Sequence, residues 1–182
     1  MDARNRQRLQ LLLVASIFAL PILVAMALTL AGWMPGTKSY GVPILPQRSV
    51  AKIPLTFANG APLAWRDRGF HWTLIALPGP DCREHCLRAL DMIHRVRITL
   101  NQSADKLRLV YLGTPSNDAQ ARSIMQPWRV AQTVAHDLDD LRPARRDALA
   151  AVLVMPDGVA LTLYPDGFDA NGLKKDLHKV IK

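Results

Sequence analysis

The chain has 182 residues, a formal net charge of +8 and only two cysteines. Its basic residues are scattered instead of interleaved with aromatics, which excludes a nucleic-acid surface of the usual kind. The first 33 residues carry three arginines and one aspartate, so a charge of +6 lies beyond them and suits acidic partners or anionic lipid headgroups.

Residues 1–8 form a short basic tail with Arg4, Arg6 and Arg8. From Leu9 to Gly32 there is no charged residue, and about 20 apolar residues suffice to cross a bilayer core. The sequence therefore predicts a single transmembrane helix over 9–33, with Trp33 at its interface and Pro21 tolerated inside it. Ala25-Met26-Ala27 has the small-x-small form of a signal-peptidase site. The apolar run continues past that point to Leu28, Leu30 and Trp33, longer than a secretory h-region, so retention as an anchor fits better. The arginines before the span place the amino terminus in the cytoplasm and the rest in a periplasm-like space. The tail lacks the Ser-rich amphipathic character of a transit peptide, which makes a bacterial inner membrane the expected address.

Pro35, Gly36, Pro43, Pro46 and Pro54 punctuate residues 34–54 with little periodicity, and predict an extended stalk. Residues 55–182, about 130, are close to the modal size of one domain. Within them, Trp72 to Leu77 is an apolar run stopped by Pro78-Gly79-Pro80, as a strand buried on both faces would be. Cys82, Cys86, Ala89, Ile93, Val96 and Leu100 then recur at helical spacing, which puts both cysteines at the head of a buried helical stripe. Leu107 to Leu112 predicts a second strand, parallel to the first, followed by a helix carrying Ala121, Ile124 and Met125 and capped by Ser116 or Asn117. The stretch from Trp128 to Asp147 is polar and irregular and predicts no element.

Ala151 to Met155 and Val159 to Tyr164 flank Pro156-Asp157-Gly158 and predict a β-hairpin. A final helix, capped by Asp169 or Asn171, buries Leu173, Leu177, Val180 and Ile181 and turns Lys174, Lys175, Lys179 and Lys182 to solvent. Strand, helix, strand, helix, hairpin, helix is the order of an α/β thioredoxin-like fold. In that fold a cysteine pair sits where the first core strand hands over to its helix, and Cys82 and Cys86 occupy that position.

Cys82-x-x-x-Cys86 is the most informative feature of the chain. Residues i and i+4 on a helix share a face, so the two sulfurs can reach each other or one metal ion. The positive end of a helix favours thiolate, and thiolates suit Cu(I). A permanent disulfide is the alternative, although so small a loop removes little unfolded-state entropy.

With Leu55-Thr56-Phe57-Ala58-Asn59-Gly60, Gly79-Pro80-Asp81-Cys82-Arg83-Glu84-His85-Cys86 and Leu153-Val154-Met155-Pro156-Asp157-Gly158, the chain resembles the Sco family. These are membrane-tethered thioredoxin-like proteins that help insert copper into cytochrome c oxidase. The resemblance implies copper as cofactor, with Cys82 and Cys86 as its ligands or as a redox pair. It implies a cytochrome oxidase subunit or another assembly factor as partner. Sco proteins complete the copper site with a histidine just ahead of the strand leading to the hairpin. Here that region reads Arg146-Asp147-Ala148-Leu149-Ala150-Ala151. A third ligand would have to come from His85, His136, a methionine or a partner, with a histidine placed at Ala150 or Ala151 as the repair; otherwise the chain carries no cofactor.

Three functions follow from these residues. The first is a copper-related or thiol-redox assembly factor for a respiratory oxidase, not an enzyme of the usual kind. A general thiol-disulfide oxidoreductase is the second, but it would show Cys-x-x-Cys and a proline before the strand facing the cysteines. The third is a non-catalytic scaffold of an oxidase complex.

Overall fold

In the computed structural model, residues 39–66 and 69–181 are described, together with residues 13, 16–24 and 26–27 of the amino-terminal segment. The chain divides into two compact units, Met1–Lys38 and Ser39–Lys182. In the first unit, residues 16–24 and 26–27 are helical, and Ile17, Phe18, Ile22 and Leu23 are exposed. No helix among the described residues is long and apolar enough to cross a membrane. Much of the predicted span over 9–33, including both of its ends, lies outside the described residues.

The second unit is one seven-stranded sheet with helices on one face. Its strands are β1 (Val42–Ser49), β2 (Thr56–Phe57), β3 (Trp72–Pro78), β4 (Leu107–Leu112), β5 (Arg129–Gln132), β6 (Leu149–Val154) and β7 (Val159–Tyr164). Its helices are α1 (Glu84–Ile98), α2 (Ala119–Met125) and α3 (Ala170–Val180). The strand order is β1-β7-β6-β3-β4-β5-β2. β3, β4 and β5 run parallel, as the intervening helices require, while β6 and β7 form the antiparallel hairpin.

Side chains alternate across a strand, so each strand feeds two cores. Leu74, Ala76, Leu109, Tyr111, Ala151 and Leu153 pack under the three helices, against Leu90, Ile93, Leu173 and Leu177. Ile75, Leu77, Val110, Leu112, Val152 and Val154 face the other way, onto Val50, Ile53, Leu55, Phe57, Leu63 and Trp65. Burial on both faces explains why β3, β4 and β6 appear in the sequence as mainly apolar runs, interrupted only by Thr73 and Arg108.

The predicted stalk over 34–54 is corrected by this second core. β1 pairs antiparallel with β7, and Val50 and Ile53 are 0% and 7% exposed, so the folded domain begins at Ser39 and not at residue 55. β1 lies at the sheet edge, where a proline lacking an N–H costs no ladder bond, and so Pro43 and Pro46 fit a strand that resembles a linker. One smaller correction concerns a helix end. α2 has Asp118 at its N-cap without a side-chain cap bond, while Ser116 Oγ donates to Asp118 Oδ2 at 2.7 Å. α3 is capped as expected, with Asp169 accepting from the Gly172 amide at 2.8 Å.

Candidate functional site: a cysteine pair under a carboxylate cap

β3 ends at Pro78, and Gly79 carries the chain out of the sheet beneath the 143–148 loop. The Gly79 amide donates to Ala148 O at 2.9 Å, and a Cβ at Gly79 would stand 2.4 Å from Arg145 O. Only glycine allows that approach. The loop is held from its other end by Arg142, whose guanidinium donates to Pro78 O at 3.2 Å and to Leu112 O at 3.1 Å. Arg142 thus ties the loop to the carboxyl ends of both central parallel strands.

α1 begins at Glu84 with Arg83 as its N-cap residue, so Cys82 precedes the helix and Cys86 sits in its first turn. This corrects the expectation that both cysteines open the helical stripe; the buried stripe is Cys86, Leu87, Leu90, Ile93 and Val96. The sulfurs are joined in a disulfide, with Cα atoms 5.1 Å apart.

The first amides of a helix have no intrahelical partner, and no side chain at the N-cap serves them here. Asp147 serves them from 61 to 64 residues away. Its carboxylate accepts from the amides of Arg83 at 2.8 Å, His85 at 2.9 Å and Cys86 at 3.0 Å. Burial pushes the Asp147 carboxyl up, but the amides of Cys86, His85 and Arg83 together outweigh it and hold it below its ordinary value. The Asp147 amide in turn donates to Asp81 O at 2.9 Å. Asp147 adopts φ +52°, a left-handed conformation that aspartate tolerates better than most residues. The helix end that would favour a thiolate at Cys86 is therefore already occupied by a carboxylate.

The two sulfurs differ in access. Cys86 is fully buried, whereas Cys82 lines an open cleft of about 470 Å³ with Pro80, Arg83, Leu87, Pro115 and Gln120. A partner's sulfur approaching through that cleft meets Cys82 first.

His85 and His136 are not brought together. His85 Nε2 lies 3.3 Å from Asp166 Oδ1 and 3.4 Å from Arg145 Nη2, and Arg145 also pairs with Asp166. Asp166 additionally accepts from the Leu149 amide at 3.1 Å, which binds this cluster to the start of β6. His136 Nδ1 sits 2.6 Å from Asp139 Oδ2 on a side chain 91% exposed, and it does not line the cleft of Cys82. Among the described residues no three of His, Cys, Asp and Glu converge on a point that could hold a metal ion. The position ahead of β6 holds Asp147, a hard oxygen donor already engaged by three amides. A resident copper ion would find two soft donors there and no third, so the residues present do not complete the site that the resemblance implies.

Asp147, Arg142 and Asp166 went unrecognised in the sequence. The first two lie in the polar stretch that predicts no element, and their partners are remote in the chain. The one available signal was an Asp just ahead of a fully apolar strand, where the related fold places a functional side chain.

A thioredoxin-like sheet with a cysteine pair at the exit of its first central strand defines the class: a thioredoxin-like domain with a disulfide between cysteines four residues apart. Residues 72–182 match the family model described as transmembrane-like, thioredoxin-like, C-terminal domain, and the chain belongs to that family. No curated protein matches the chain. Among solved structures it is similar to apo Sco1 of Thermus thermophilus at 13% identity and a TM-score of 0.54, covering 80% of this chain and 99% of that one. It is also similar to copper-bound ScoI of Arabidopsis thaliana (14% identity, TM-score 0.50, covering 77% of this chain and 96% of that one). Copper-bound yeast Sco1 matches at 14% identity and TM-score 0.50, over 79% of this chain and 93% of its own. At such identities the likeness shows a shared fold, and the fold of this chain is Sco-like.

Proposed function

We propose that the chain is a membrane-anchored thiol-redox assembly factor for a respiratory cytochrome oxidase, tethered by residues 9–33 and working from the periplasmic side. The observation that carries this reading is the asymmetric disulfide, with Cys82 open to a cleft and Cys86 buried behind it. In the reduced protein the Cys82 thiolate attacks a disulfide on the target, forming a mixed disulfide and releasing one target thiolate. Cys86 then attacks Cys82 Sγ, releases the second target thiol and restores the disulfide seen here. Two electrons pass to the target, and a dithiol reductant must return them. In this reading the copper belongs to the target, whose reduced cysteines become able to take it.

The Sco-like fold supports the oxidase as target, and the departure from Cys-x-x-Cys speaks against general oxidoreductase work. The absence of a proline next to the β6 start, where Ala148 stands, points the same way.

The test is trapping. Cys86→Ser cannot resolve the mixed disulfide, so it should accumulate an adduct between Cys82 and a copper-site cysteine of the oxidase, visible on non-reducing gels and by mass spectrometry. Wild-type protein should not reduce insulin. Full oxidase activity in a strain carrying serine at both positions would overturn the proposal in favour of a scaffold.

A further inference from the structure

α3 carries a row of cations on the face turned from the core. Asn171, Lys174, Lys175, His178 and Lys179 follow the spacing i, i+3, i+4, i+7, i+8 and line a shallow depression together. Leu173, Asp176 and Leu177 occupy the opposite, buried face. The carboxylates near this row are both engaged in the fold. Asp169 caps the helix, and Asp176, with Oδ1 3.8 Å from Lys179 Nζ, turns its other oxygen inward. Three ammonium groups against two carboxylates leave the row net positive.

The same helix receives the first residues of the domain. Asp176 Oδ2 accepts from Ser39 Oγ at 3.0 Å and from the amides of Tyr40 at 2.8 Å and Gly41 at 3.2 Å. Lys175 Nζ donates to Tyr40 Oη at 3.1 Å and stands 5.1 Å from the ring centroid. Tyr40 and Val42 are each 55% exposed beside it. A tyrosine with an apolar neighbour and flanking lysines is the composition of a membrane interface.

If the span ends at Trp33, five residues (34–38) separate it from Ser39, and the six Cα–Cα steps between them reach about 20 Å at most. Ser39, Tyr40 and Gly41 are fastened to α3, so a tether of that length allows its lysines to reach the headgroups. The attraction of lysine for an anionic surface falls off over a Debye length of about 8 Å at physiological salt.

We propose that the lysine face of α3, with Tyr40, docks on anionic lipid headgroups of the membrane that anchors the chain. The proposal rests on the reading of residues 9–33 as an anchor. It fixes which side of the domain meets the membrane.

The full chain is placed in nanodiscs of phosphatidylcholine alone and of phosphatidylcholine mixed equally with phosphatidylglycerol, then acylated with an uncharged amine reagent and mapped by mass spectrometry. Lys52, just past the far end of β1 from Tyr40, is the internal reference. In the anionic discs Lys174, Lys175 and Lys179 should react more slowly relative to Lys52, by roughly fivefold for each lysine that meets the surface. High salt should restore the rates. Equal rates in both discs would overturn the docking and leave the lysine face to an acidic protein. A chain that does not copurify with either disc would overturn the anchor, a result read before any labelling.

Discussion

Two aspartates bind distant parts of this domain together, and only one stands beside the cysteines. Asp176 is 6% exposed and gathers Ser39, Tyr40, Gly41 and the Tyr164 hydroxyl, closing the amino-terminal edge of the sheet onto α3. Asp147 gathers the amides of Arg83, His85 and Cys86 at the head of α1, at the rim of the cleft. The device is the same, a carboxylate collecting otherwise unpaired backbone amides. In one place it is sealed in the core and serves architecture alone; in the other it remains partly exposed and sets the local charge around a disulfide. The difference shows how one interaction supports a fold where it is buried and conditions chemistry where solvent and partner can reach it.

The largest effect should come from breaking the buried member. Asp176→Ala leaves amide donors and a tyrosine hydroxyl without their charged acceptor, and should cost roughly 3 to 5 kcal/mol. Denaturant unfolding of the full chain in detergent measures it. Asp147→Ala should cost less, about 1 to 2 kcal/mol, as loss of a helix cap does. Equal losses at the two positions would erase the proposed division between architecture and site.

How far the sequence discloses this arrangement depends on the range of each interaction. β3, β4, the β6–β7 hairpin and α3 are legible because their signals are local: apolar runs, a Pro-Asp-Gly turn, a helical stripe. The cysteine pair is legible for the same reason. β1 is hidden by Pro43 and Pro46, which only an edge position excuses, and β5 by its four residues within a polar stretch. Asp147 and Asp176 are hidden because the backbone amides they collect stand 61 to 136 residues away, where no periodicity reports them.

The third prediction tests whether Asp147 holds the place of a metal ligand. The sequence suggested a histidine at Ala150 or Ala151, but both lie inside β6, 2% and 0% exposed, so an imidazole there would overpack the core. Residue 147 already projects its side chain to within 3.0 Å of the Cys86 amide. Wild-type reduced protein should bind Cu(I) weakly, and Asp147→His should tighten binding about tenfold, which is about 1.4 kcal/mol. A competition titration against a Cu(I) chelator measures both, and Cys82→Ser should abolish binding in either background. Tight wild-type binding lost on His136→Ala would instead identify His136 as the ligand supplied from outside the cleft.

The smallest expected effect is one of acid, and it separates the charge of Asp147 from its shape. The folded state holds the Asp147 carboxyl below its ordinary value, because three amide donors prefer the carboxylate and outweigh the cost of burial. A carboxyl depressed on folding contributes stability that is fully present above its unfolded value, near pH 3.9, and is lost as pH falls through the folded value. Wild-type protein should therefore lose part of its stability below about pH 4 at this position. Asp147→Asn keeps one oxygen acceptor but cannot titrate, so it should start less stable at neutral pH and converge on wild type in acid. Stability measured by denaturant from pH 7 down to pH 3 would show the two curves closing. Curves that run parallel through that range would mean that the cap acts through geometry alone, and that the charge at the head of α1 plays no part in holding the cysteine loop.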